Sequence, residues 1–104
     1  MDVDVQGLKK STFAKVSDDK VFWMCRGDRI DNIRDMANAI ESLSPTEFEH
    51  HVSLEGKRND FAVWIQDVLH NPLLAHDLNY PVNLNNQHHF VKTIRDHVAW
   101  LEHE

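Results

Sequence analysis

The sequence is poor in turn-forming residues and in cysteine. Its 104 residues include three Gly, three Pro and one Cys. So few turn formers argue against a β-sandwich or barrel. The single Cys25 excludes an intramolecular disulfide, which fits a reducing cytosol. No apolar run approaches the roughly 18 residues of a membrane-spanning helix, and the N-terminus shows no signal-peptide pattern. We therefore expect a cytoplasmic protein that does not associate with membranes.

Positive charge is also scarce, because 11 Lys and Arg face 17 Asp and Glu, giving a formal net charge of −6. A chain that phosphate repels is a poor candidate for nucleic-acid binding. Eight His add charge that depends on pH. We expect most of these imidazoles to lie at the surface, as polar side chains usually do.

The hydrophobic residues that are present follow helical periods and predict an all-α fold. A helix is expected at about residues 33–43, 45–52, 60–69, 72–78 and 87–102. Each of the first four follows a polar N-cap, and Ser44-Pro45-Thr46-Glu47 is a capping box with Pro at the first helical position. We predict a compact bundle of four to five helices over residues 19–104, one domain, after a flexible N-terminal tail over residues 1–18.

His51 is the most conspicuous candidate for a functional side chain. It falls three residues after Phe48, which places it towards the core, where an imidazole needs a hydrogen-bond partner. Asn59, Asp60 and Asp67 are the nearest candidates in sequence. The structural interpretation is favoured, and a general base or a ligand-binding group is the alternative.

The sequence contains only weak motifs for metal binding and for nucleophilic catalysis. Glu47-Phe48-Glu49-His50 matches Glu-x-x-His once, whereas a di-iron bundle needs two such motifs. The adjacent pairs His50-His51 and His88-His89 point about 100° apart on a helix and do not chelate as one face. Cys25 could pair with His51 only through the fold. We predict no catalytic set, no metal and no cofactor.

Trp100 lies one position off the buried stripe of the last helix, near His89, Asp96 and His103. Trp100 could belong to the core or to a contact surface, and this position makes it a candidate for a surface that binds another protein. Trp64, by contrast, belongs to a helical stripe and is expected in the core.

The order of these features resembles a family of small bacterial and archaeal helical modules classed only as a domain of unknown function. The resemblance covers about residues 20–103. It depends on Phe22-Trp23, on His51-Val52 and on the segment NDFAVWIQDVL that begins at Asn59. The family's segment is close to Asn-Asp-Phe-Ala-Asn-Trp-Ile-Arg-Asp-Val, and this chain departs from the pattern at His50, Val63 and Gln66. The resemblance implies that His51, Asn59, Asp60, Phe61, Trp64 and Asp67 belong together, and it implies no activity.

Three hypotheses of function follow from the sequence. The leading one is a non-enzymatic interaction or regulatory module that binds another protein. The second is a metal- or small-ligand-binding domain that uses His51 with Asp60 or Asp67. The third is an enzyme, such as a hydrolase, centred on the same residues. The binding residues we predict across these hypotheses are His51, Asn59, Asp60, Asp67 and Trp100.

Overall fold

Helices dominate the protein, as the hydrophobic periods predicted. The computed structural model describes residues 4–53, 58–79 and 86–104. Over these residues the chain forms six α-helices, one short 3₁₀ turn at Asp18–Lys20 and one two-stranded ribbon. The α-helices are α1 (Val5–Phe13), α2 (Ile33–Ser42), α3 (Pro45–His51), α4 (Asp60–Asp67), α5 (Pro72–Asn79) and α6 (Gln87–Glu102).

The predicted N-caps are present, which explains why the helices start where the sequence indicated. Asn32 accepts a hydrogen bond from the backbone of Asp35. Ser44 and Glu47 form both halves of the capping box. The Asn59 side chain accepts from the backbone N–H of Ala62, and the Asn71 side chain accepts from that of Leu74. Each cap satisfies a backbone donor that the first helical turn leaves without a partner.

The N-terminal region differs from its prediction, because part of the expected flexible tail forms α1. Asp4 caps this helix by accepting a hydrogen bond from the backbone of Gly7. The helix buries Leu8 and Thr12 and packs against α6. Gly7, Lys9 and Lys10 obscure the helical period in the sequence, so only the spacing of Val5, Leu8 and Thr12 signals α1.

A short antiparallel ribbon precedes α2. Strand β1 (Phe22–Trp23) pairs with strand β2 (Arg29–Ile30), with Phe22 opposite Ile30. Gly27, in the connecting turn, has a φ of 101°, a conformation that favours glycine. Because side chains alternate along a strand, Phe22 faces the core while Trp23 faces solvent.

One hydrophobic core joins the ribbon to helices α2 to α6. Its centre is aromatic: the ring of Phe61 lies 5.3 Å from that of Phe22 and 6.1 Å from those of Phe48 and Phe90. The radius of gyration is 13.0 Å, close to the ~13 Å of a folded chain of 100 residues. None of the helices in the described part of the chain is long and apolar enough to cross a membrane.

Candidate functional site

His51 lies at the end of α3, packed against the aromatic core. Its ring centroid is 5.2 Å from that of Phe22 and 5.1 Å from that of Phe61. Only 5% of its side chain is exposed. The three-residue spacing from Phe48 therefore predicted its burial correctly.

Both ring nitrogens of His51 have protein partners. The backbone N–H of Cys25 donates to Nε2 over 3.1 Å, so Nε2 carries a lone pair and no proton. Nδ1 lies 3.0 Å from the Oδ2 atom of Asp60. In a neutral imidazole one nitrogen donates and the other accepts, so Nδ1–H donates to the carboxylate. The ring thus links the end of the β-ribbon to the start of α4.

Asp60 receives a second set of hydrogen bonds from Arg58. The guanidinium donates from Nε to Oδ1 over 3.1 Å and from one terminal nitrogen to Oδ2 over 3.0 Å. Burial alone would raise the pKa of the Asp60 carboxyl, but the hydrogen bonds and charges of Arg58 and His51 hold it below its ordinary value. The carboxylate is therefore an ionised anchor for both neighbours.

The other two polar residues predicted as hydrogen-bond partners of His51, Asn59 and Asp67, do not contact its ring nitrogens. The Asn59 amide donates to the backbone oxygen of Leu78 and to the side chain of Asn79, so it ties α4 to α5. Asp67 is exposed at the last position of α4. Because Asp60 is the first residue of that helix, about 10 Å of helix separates the two carboxylates. Of the predicted partners, the structure brings only Asp60 to His51.

This geometry bears on the two alternative hypotheses at His51. Nε2 is the nitrogen that would take a proton from a nucleophile, and it already accepts a hydrogen bond from the backbone N–H of Cys25. Cys25 therefore contacts the ring through its backbone and not through its thiol. The exposed thiol instead lies 3.9 Å from the backbone oxygen of Glu47. In residues 4–53, 58–79 and 86–104, no three His, Cys, Asp or Glu side chains are grouped to hold a metal ion. At His51 itself, both ring nitrogens are already hydrogen-bonded within the protein, which disfavours a general base or a metal ligand at this position.

A second polar cluster is buried between α1, α5 and α6. The amide nitrogen of Asn71 donates to the Oγ1 atom of Thr12 over 2.8 Å and to Nε2 of His97 over 2.9 Å. Asn71 and Thr12 are fully buried. Because the Asn71 oxygen accepts from Leu74, its nitrogen must be the donor and His97 must be the acceptor. The sequence predicted the Asn71 cap but gave no indication of its two other partners.

Burial lowers the pKa of His97, with a smaller opposing effect from the negative charge of Asp77. The unfolded chain, whose His has an ordinary pKa, then binds a proton more readily than the folded chain. The neutral ring therefore stabilises the fold above the ordinary His pKa of about 6.5, and this stabilisation is lost as the pH falls below it.

Trp100 lies at the surface, as its position off the helical stripe predicted. It is 40% exposed, and Leu73 on α5 is 37% exposed. The Trp100 ring packs on His97, with 5.2 Å between ring centroids. Leu73 and Trp100 line one open cleft of about 540 Å³ between α5 and α6. This Trp100 cleft is lined by Leu73, Asp77, His89, Thr93, Asp96, His97 and Trp100.

No protein-family model matches the chain, and no curated protein or solved structure matches it at a significant level. The resemblance to a family of small helical modules therefore stays a prediction. The function is therefore argued from the sites themselves: the His51 cluster is largely buried, whereas the Trp100 cleft is open to solvent.

Proposed function

We propose that the protein is a non-catalytic interaction module that binds a partner polypeptide in the Trp100 cleft. The observation that carries the proposal is that two large, partly exposed apolar side chains, Leu73 and Trp100, line one cleft between two helices. Tryptophan is enriched among the residues that dominate binding energy at protein interfaces. Clefts between packed helices are also common binding sites.

The proposal is supported by the way Trp100 is held in place as well as by its exposure to solvent. The Trp100 ring packs on the buried His97, and His97 is hydrogen-bonded to Asn71. A contact side chain that is already held by its neighbours loses little conformational entropy when a partner binds. Trp23 and Val63 are more exposed, at 60% and 58%, but neither lines the Trp100 cleft. They therefore serve as comparison positions.

The His51 cluster supports the proposal by having a structural role. His51 donates to one carboxylate and accepts one backbone N–H, so its hydrogen-bonding capacity is used within the protein. A general base needs a free lone pair within reach of the proton that it removes. A binding role at a different surface therefore requires no rearrangement of the His51 cluster.

Site-specific photo-crosslinking in the source cells tests the proposal. A photoreactive phenylalanine analogue replaces Thr93, which lines the cleft beside an intact Trp100, in one variant and Trp23 in another, and both variants are checked for native circular dichroism. We expect a discrete covalent adduct with another protein from position 93 and none from position 23. Equal labelling from both positions, or no protein adduct from position 93, would refute binding at the cleft.

A further inference from the structure

The only Asp, Glu, Lys or Arg side chains that line the Trp100 cleft in the described part of the chain are two carboxylates. Asp77 on α5 and Asp96 on α6 contribute carboxylates from both helices that form it. The residues that line it in the described part of the chain include neither Lys nor Arg. Both carboxylates are at the surface, where His76 approaches Asp77 and Lys92 pairs with Asp96. Such exposed pairs contribute little energy, so both carboxylates can accept a new cation.

The apolar part of the cleft adds a second preference. A Trp face attracts a Lys ammonium or an Arg guanidinium that lies within about 6 Å of the ring. Leu73, on the other helix, offers an aliphatic surface to a neighbouring apolar side chain. The stems of Lys and Arg also pack on apolar surface while their charged ends stay in water. A cationic side chain beside an aliphatic one would therefore suit both the carboxylates and the apolar side chains of the cleft.

We infer that the Trp100 cleft binds a segment of a partner protein in which Lys or Arg stands next to aliphatic residues. This inference rests on the proposed function and adds the chemistry of the partner to it. An acidic or phosphorylated segment would meet Asp77 and Asp96 and be repelled. A purely apolar segment would strip water from the two carboxylates without offering them a partner, which is costly.

Selection from a random-sequence peptide display library tests the inference. The whole chain is the bait, and the Trp100→Ala variant is used to remove peptides that bind elsewhere. We expect the surviving sequences to be enriched in Lys or Arg beside Leu, Ile or Val. Synthetic copies should bind the Trp100→Ala variant about 30-fold more weakly, as for a dominant interface residue. A Leu73→Ser variant provides a second test of the cleft.

A charge variant and a matched control separate the two claims. Replacing Asp77 and Asp96 together by Asn should weaken binding about 5-fold. The control pair, Asp18→Asn with Glu49→Gln, removes the same charge from elsewhere on the surface and should change little. Added salt should weaken binding of the wild-type chain and have less effect on the Asp77/Asp96 variant.

The outcomes distinguish the proposed function from the inference about the chemistry of the partner. Two results would overturn the inference of a basic partner and leave the proposed function intact. In the first, the peptides require Trp100 but are acidic or uncharged; in the second, they bind the Asp77/Asp96 variant as tightly as the wild-type chain. Failure to select any peptide that distinguishes the wild-type chain from the Trp100→Ala variant would overturn both.

Discussion

Replacing His51 by Ala should destabilise the protein severely, because the ring joins three parts of the fold. The variant loses a hydrogen bond to a carboxylate, which contributes about 1.5–3 kcal/mol. It also leaves the backbone N–H of Cys25 without its acceptor and opens a cavity beside Phe22 and Phe61. We expect a total loss of about 3–5 kcal/mol, the range measured for large truncations in protein cores.

Urea unfolding followed by circular dichroism measures this loss as the change in the free energy of unfolding. A domain of this size is stable by about 5–15 kcal/mol, so His51→Ala should remove at least about a fifth of the total. If that variant does not fold, His51→Gln, which keeps a donor and an acceptor, should give an intermediate value.

The adjacent His50 provides the matched control, because it is exposed on the same helix. Its replacement by Ala should change the free energy of unfolding by no more than about 0.5 kcal/mol. A His51→Ala variant as stable as His50→Ala would refute the structural role of His51. The buried cluster would then have to be reconsidered as a functional site.

Three further predictions concern the remaining polar and backbone features. Asn71→Ala should lower the free energy of unfolding in urea by about 2–4 kcal/mol, because it removes a helix cap and the buried donor to Thr12 and His97. A loss no larger than that caused by replacing the exposed Asn38 with Ala would argue against a stabilising role of the buried cluster. The free energy of unfolding should fall between pH 7.5 and 5.5, by at most about 1.4 kcal/mol per pH unit for one titrating group. In a His97→Gln variant the fall should be less steep, and parallel pH profiles of the two proteins would show that His97 is not responsible. Gly27→Ala should lower the free energy of unfolding by about 1–2 kcal/mol, because the positive φ is unfavourable for a residue with a Cβ, even though that Cβ would have no atom within 4 Å. An unchanged thermal unfolding temperature would contradict the positive φ.

The helix starts could be predicted from the sequence because their signals are local. Ser44 with Glu47, and Asn59 before Asp60, form their caps within four residues, and the structure contains both. Helix α1 escaped prediction because its own sequence is weakly periodic. Its buried Thr12 is held by Asn71, which lies 59 positions further along the chain.

The candidate site shows the same division between local and long-range information. The spacing from Phe48 predicted that His51 would be buried, but Asn59 turns away towards α5 and Cys25 supplies a backbone partner instead. Trp100 could be identified from its offset on α6. Its neighbour Leu73 could not, because only the packing of α5 on α6 brings the two together.

The central claim is that binding takes place in the Trp100 cleft while the His51 cluster maintains the fold. Backbone amide chemical-shift mapping tests it most directly, with a peptide selected on the wild-type chain without counter-selection so that either site can bind it. We predict that the largest shifts fall on α5 and α6 around Leu73, Thr93 and Trp100. Shifts centred instead on Cys25, His51 and Asp60, with α6 unaffected, would contradict the claim.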